Sequence, residues 1–540
     1  MTRKHLLATL LSMFLASCAD GDFDSAGGGG NVGFGGAQDI GQFRDILQEG
    51  GIPGAATLDA NGFFSEHFTE LPPADCGQSL CLHGMVSVNR DWVDDEYQAV
   101  LRVALNSSIS PDELSDKPLD LVVVVDTSGS MESDDRLSYV QQGLSLLIDE
   151  LDEGDRLGIV RYSSDAQVVA GLGEQTREDL HDIVDSFVAD GGTNIYEGMQ
   201  LGMEMASEQL STERQSRVIL LSDGLINAGP SGEQVLGLAE GYVSQGIGLT
   251  TIGVGDSFNL ELMRGLAERG AGNFYYVEDP SAVTEVFTEE LDYFVQPLAL
   301  DLEVRVQSDP SHAIGEVYGT RLWESFGVEG GAMSIPAVFL ASRTSDEPTE
   351  NGRRGGGSSL FIAMERLDGA FEGEAMATVQ VRYRIPGTEE YVLQEIVVDN
   401  PFRAEVPDAG YVSHLEMLKA YATYNVFLGL LRASEEAEDD YHCSLATIEQ
   451  LRASTGRWTQ NNPNQDLAAD MILLELFAEN LITLGADTEL CGSGAPPTYD
   501  DDIYAGQDPM ACSSGGSAGG LLGSALLLLM MGLLRRRRRC

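Results

Sequence analysis

Three patterns predict an α/β fold: a doubly wound, mostly parallel sheet, followed by a β-rich domain and a C-terminal helical region. Between residues 118 and 297, strand-like and helix-like stretches alternate, which is the order that builds a parallel sheet through crossover helices. Within that span Leu121-Val-Val-Val-Val125 is a continuous, mostly β-branched run, as expected for a strand buried on both faces. After it, runs of alternating apolar and polar residues give way to apolar residues at helical spacing.

The elements follow in order. Residues 37–117 read as an accessory segment, with a helix-like stretch at Ile40–Leu47 and an alternating strand from Tyr97 to Leu105. In 118–297 the run at Leu121 is followed by Leu137, Val140, Leu144, Leu147, Ile148 and Leu151 at helical spacing. Leu157–Tyr162, Val218–Ser222 and Leu249–Val254 are the next strands, and Asn273–Val277 is a shorter edge candidate. Helices are expected at about Glu174–Phe187, Ile195–Gln209, Gly232–Gln245, Leu260–Arg269 and Ser281–Phe294. Residues 298–407 read as a small β-sandwich-like domain, from the alternation at Leu298–Val306 and the runs Ser359–Met364, Ala377–Ile385 and Glu390–Val398. Its Arg353-Arg-Gly-Gly-Gly-Ser358 segment reads as a loop. Residues 408–491 are helical, with Leu415, Leu418, Tyr421, Val426 and Leu430 on apolar faces, and 492–517 are a Gly/Pro/Asp-rich linker. No internal repeat is evident.

The 540 residues allow several domains, and 43% apolar content is ample for real cores. A net charge of −54 argues against nucleic acid or anionic lipid head groups as partners. None of the seven cysteines lies in a CxxC zinc pattern. Cys76 with Cys81, and Cys443 with Cys491, are candidate disulfide pairs in an oxidising compartment, with the connectivity left open.

Both ends read as targeting segments. Residues 1–18 combine a basic start, a short apolar core and small residues, as in a signal peptide. Leu15-Ala-Ser-Cys18 resembles the lipobox of bacterial lipoproteins, which implies lipidation at Cys18, and 19–36 then read as a Gly-rich tether. In 518–540 an apolar run precedes Arg535–Arg539, which favours the cytoplasmic side and leaves the body outside. With Cys512 and Gly515-Gly-Ser517 this tail resembles C-terminal membrane-anchoring and sorting signals. The expected location is the cell envelope, outside the cytoplasm, at the outer membrane or cell surface.

One constellation carries chemistry. Asp126 ends the buried strand, with Ser128 and Ser130 on the loop behind it. Asp223 ends another strand, and Thr193 lies in Gly191-Gly-Thr-Asn194, a loop that opens a helix. In open α/β sheets, ligands bind beyond the carboxyl ends of the strands. Two carboxylates and three hydroxyls supply oxygen only, which suits a hard cation such as Mg²⁺. D-x-S-x-S, then T, then D, resembles the metal-ion-dependent adhesion site of von Willebrand factor type A domains, and Leu221-Ser-Asp-Gly224 and Ile252-Gly-Val-Gly-Asp256 are also typical of that family. The resemblance implies a bound Mg²⁺, Mn²⁺ or Ca²⁺. The serines would ligate directly, Thr193 directly or through water, and the aspartates largely through water. It further implies a protein ligand offering an acidic side chain, and no small-molecule substrate is evident in the sequence.

The flanking layout resembles exported bacterial type A proteins. The expected role is an adhesion-type binding module and not an enzyme. An envelope assembly factor and a hydrolase of unknown type are the alternatives. The seven histidines show no HExxH spacing, there is no P-loop, and Gly515-Gly-Ser-Ala-Gly519 lacks the strand–elbow–helix context of a serine hydrolase.

Overall fold

The computed structural model describes residues 30–491 except 94–95, 111–116, 212, 224–225, 244, 256–258, 278–285, 287–296, 347–352, 368–372 and 403–409. Cys18, the C-terminal anchor at 518–540 and all but Val286 of the helix expected at 281–294 therefore lie outside the described residues.

The N-terminal segment forms β1 (Val32–Gly33), β2 (Gly36–Ala37), α1 (Gly41–Gln48), α2 (Ala60–Ser65), β3 (Cys81–Arg90) and β4 (Tyr97–Asn106). The α/β domain follows with β5 (Leu119–Asp126), α3 (Arg136–Glu150), β6 (Arg156–Tyr162), β7 (Ala166–Ala170), α4 (Arg177–Asp185) and α5 (Ile195–Glu208). It continues with β8 (Gln215–Ser222), α6 (Gly232–Val243), β9 (Gly248–Val254), α7 (Leu260–Arg269) and β10 (Asn273–Val277). Next come β11 (Pro297–Ser308), β12 (His312–Tyr318), β13 (Trp323–Ser325), β14 (Gly330–Leu340), β15 (Ser359–Arg366), β16 (Ala375–Arg384), β17 (Tyr391–Asp399) and β18 (Tyr411–Val412). Three helices close the described chain: α8 (Met417–Asp439), α9 (Tyr441–Asn461) and α10 (Gln465–Thr483).

The α/β sheet has the order β2-β10-β9-β8-β5-β6-β7, parallel throughout except for β7 against β6. It is doubly wound. α3 and α4 bury Leu144, Leu147 and Val184 on one face, and α5, α6 and α7 bury Met199, Val235 and Met263 on the other. β5 is buried along its whole length, which explains its β-branched run, since each such side chain contributes about 1.5–3 kcal/mol on burial. β5 lies between β6 and β8, so the strand order reverses beside it. A crevice opens at such a switch point, beyond the carboxyl ends of the strands.

The sandwich is built from both flanks of the α/β domain. β12-β15-β4-β3-β18 form one sheet and β1-β14-β11-β16-β17 the other, with β13 paired to β14. Val86, Leu101 and Leu360 meet Val304, Ile335 and Val381 between the two sheets. The opposite face of the first sheet presents Met85, Val100 and Phe361 to a core shared with α1, α2 and the three C-terminal helices. That sheet is buried on both faces, so β3 does not alternate cleanly, and it was not expected as a strand.

The Gly-rich run read as a tether at 19–36 needs correction over its described part. Residues 30–37 are almost entirely buried. β1 pairs with β14 in the sandwich, and β2 pairs with β10 in the α/β sheet, so Asn273–Val277 is not an edge strand. Gly35 and Gly36 have φ near 75° and 74°. A Cβ on Gly35 would stand 2.9 Å from the Gly272 carbonyl oxygen. Glycine here serves left-handed backbone and close approach, not slack.

Candidate metal centre at the carboxyl edge of the sheet

The structure brings Asp126, Ser128, Ser130, Thr193 and Asp223 to one edge of the α/β sheet, on three loops joined by backbone hydrogen bonds. Asp126 is the last residue of β5, with Tyr162 of β6 its Cα partner and Leu221 of β8 opposite Val125. The Thr127 N–H donates to the Tyr162 carbonyl at 2.8 Å, the Asp190 N–H to the Thr127 carbonyl at 2.9 Å, and the Gly129 N–H to the Gly191 carbonyl at 3.1 Å. The Ala228 N–H donates to the Thr193 carbonyl at 3.3 Å, and the Asn259 N–H to the Asp223 carbonyl at 3.3 Å. The first loop is thus tied to the second, and the second to the segment that follows Asp223.

The side chains are buried at their roots. Asp126, Ser128, Thr193 and Asp223 are fully buried, and Ser130 is half-buried. Ser128 Oγ lies 3.1 Å from Ser130 Oγ. The Asp126 carboxylate accepts from the Ser128 N–H at 2.8 Å, the Ser222 hydroxyl at 2.7 Å and the Tyr162 hydroxyl at 3.0 Å. Tyr162 and Ser222 are themselves 2.8 Å apart. Thr193 is pinned by Asn227, whose Oδ1 accepts the Thr193 N–H at 2.8 Å. The Arg136 guanidinium lies 3.6 Å from Asp223 Oδ2.

Electrostatics and donor chemistry both fit a cation. Burial pushes the Asp126 carboxyl up to about 6, and the Asp223 carboxylate adds to that rise, against the hydrogen bonds from Ser128 and Ser222. The negative charge of Asp223 beside the buried Asp126 carboxyl makes this a place where a positive ion is favourable. Among the described residues no group of three or more His, Cys, Asp or Glu is arranged to hold a metal. The fit therefore depends on hydroxyl oxygens joining the two aspartates, and an oxygen-only set suits Mg²⁺, Mn²⁺ or Ca²⁺ better than a soft ion.

Four residues of this neighbourhood were not singled out from the sequence: Tyr162, Ser222, Asn227 and Arg136. Ser222 adjoins Asp223, and Tyr162 ends the strand beside Asp126, so parallel register was the one available signal. Asn227 and Arg136 gave none, because a loop asparagine and the first residue of a helix look unremarkable. The candidate cysteines are joined as Cys76–Cys81 and Cys443–Cys491.

Residues 120–289 match the family model of the von Willebrand factor type A domain. The chain is 30% identical over 304 residues to protein YfbK of Escherichia coli strain K12, covering 53% of this chain and 52% of that one. It is 32% identical over 196 residues to protein sll0103 of Synechocystis, covering 36% of this chain and 45% of that one. The chain thus spans about half the length of these two bacterial relatives. A solved structure, von Willebrand factor type A from Catenulispora acidiphila, aligns over 74% of this chain and 89% of its own, with 15% identity and a TM-score of 0.46.

Proposed function

We propose, from a chain that carries a von Willebrand factor type A domain at residues 120–289, that its carboxyl-edge site binds a divalent cation and through it captures an acidic side chain of a protein partner. The observation that carries this reading is the convergence of five oxygen-bearing residues from three hydrogen-bonded loops. Ser128, Ser130 and Thr193 would hold the ion, with Asp126 and Asp223 supplying negative charge behind them. A bound Mg²⁺, Mn²⁺ or Ca²⁺ supplies an electrophilic position that an external carboxylate completes. The chain's own contribution is orientation. Tyr162 and Ser222 hold the Asp126 carboxylate, and Asn227 holds the Thr193 backbone. This is binding chemistry, and it needs no nucleophile.

The place of action is the cell envelope outside the cytoplasm. Two disulfides among the described residues support an oxidising compartment, in line with the signal-like N-terminus. Among the described residues no helix is long and apolar enough to cross a membrane, and the anchoring we propose is read from the sequence patterns at Cys18 and 518–540 alone.

Chemical crosslinking on intact cells in Mg²⁺, followed by identification of the captured protein, tests the function. Capture should be lost in EDTA and in Asp126→Ala. Capture that survives both treatments removes the metal from the function.

A further inference from the structure

Arg136 is the first residue of α3, and its guanidinium faces Asp223 at 3.6 Å. Arg136 is 5% exposed and Asp223 is fully buried. The backbone at Gly255 also lies close against the guanidinium. A Cβ on Gly255, just beyond β9, would stand 2.8 Å from Arg136 Cζ and closer still to Nε. Gly255 also has φ 78°, so both space and backbone exclude a side chain there. The fold therefore keeps a buried positive charge against one of the two carboxylates of the cation site.

This placement has an electrostatic consequence. A hard-cation site gains affinity from each nearby negative charge and loses it to each positive one, more strongly where water is excluded. A neutral amide could hydrogen-bond Asp223 without opposing the ion. The arginine instead lowers the negative charge that the aspartates offer, and leaves the cation more able to attract a carboxylate from outside.

We propose that Arg136 is a positioning residue that acts through Asp223, weakening the site's hold on its cation and so strengthening the cation's hold on an external acid. This rests on the divalent-cation reading above, and its test separates the two. The full chain is titrated with Mg²⁺ by calorimetry and with Tb³⁺ by luminescence, and binding that persists in Asp126→Ala is subtracted. If wild type shows no binding beyond that background, the cation reading fails, and this inference with it.

If wild type binds, the uncharged variants decide. Arg136→Gln and Arg136→Met should bind Mg²⁺ roughly tenfold tighter than wild type. The gain should be larger for Tb³⁺, because the opposing energy scales with ionic charge. Arg136→Lys, which keeps the charge, should stay within about twofold of wild type. A merely structural arginine predicts the opposite sign. Unchanged or weaker binding of both ions in the uncharged variants overturns the proposal when their circular dichroism and unfolding midpoint in EDTA match wild type. Arg136→Met keeps the buried aliphatic stem, so it decides the matter if the glutamine variant fails to fold.

Discussion

Three donors point at the Asp126 carboxylate, but burial, with Asp223 adding to it, outweighs them and pushes its pKa up to about 6. A cation resolves this opposition, so the residue should matter more to binding than to folding. Asp126→Ala is expected to abolish Mg²⁺ binding in calorimetry while its far-ultraviolet circular dichroism stays native. Tyr162→Phe removes the hydroxyl whose one proton is donated to Asp126. It should lower stability by about 1 kcal/mol in denaturant unfolding and weaken Mg²⁺ by about fivefold, reflecting one lost buried hydrogen bond. The five candidate ligands were legible because each stands at a strand end or a helix-opening loop, where local pattern gives position. Tyr162 and Asn227 were not, because their roles depend on register and loop contacts that no local pattern encodes.

The elements hold a charged cluster that sequence periodicity does not show. Arg353, on the loop before β15, reaches Glu66 and Asp470 at 2.9 Å each, and Arg343 reaches Asp466 at 2.9 Å. Asp466 and Asp470 lie on α10, where acids are expected to face water, yet both are buried. His67 is part of the same cluster. Its Nδ1 lies 2.6 Å from the Phe63 carbonyl and its Nε2 lies 2.7 Å from Asp470 Oδ2. Both partners are acceptors, so both ring nitrogens donate and the ring is an imidazolium. Burial pulls the His67 pKa down, but Asp470 outweighs it, and the net shift is upward from 6.5. A raised histidine pKa stabilises the fold fully below the unfolded value and loses that contribution as pH rises through the folded one. The unfolding midpoint should therefore fall with rising pH above about 6.5, and His67→Gln should flatten that slope. A slope unchanged by the substitution would remove His67 from the account. Arg353→Met leaves buried carboxylates uncompensated and should cost about 3–5 kcal/mol in denaturant unfolding. The strands β12, β13 and β14 escaped the sequence reading for a related reason. Gly330, Gly331 and Pro336 blur the apolar alternation of β14, and β13 is only three residues long.

At the scale of the molecule, the α/β domain is inserted within a sandwich whose strands come from before and after it. Chain order therefore separates what space unites, and 37–117 and 298–407 read from sequence as two units although they share one core. The α/β sheet was legible because its strands are local, continuous apolar runs. The N-terminal strap was not, because its glycines look the same in a tether and in a tight crossing. Residues 30–37 carry β1 and β2, so a chain beginning at residue 30 keeps both pairings and is the reference. A chain beginning at residue 38 should unfold several degrees lower, having lost pairing in both sheets. The net charge of −54 will attract divalent ions diffusely, so site occupancy has to be seen where it occurs. The most direct measurement is anomalous diffraction from crystals of the protein grown with Mn²⁺. A cation held at this site gives one strong peak among Ser128, Ser130 and Thr193, beside Asp126 and Asp223, and that peak is lost in Asp126→Ala. Well-occupied Mn²⁺ elsewhere with none between these residues would contradict it.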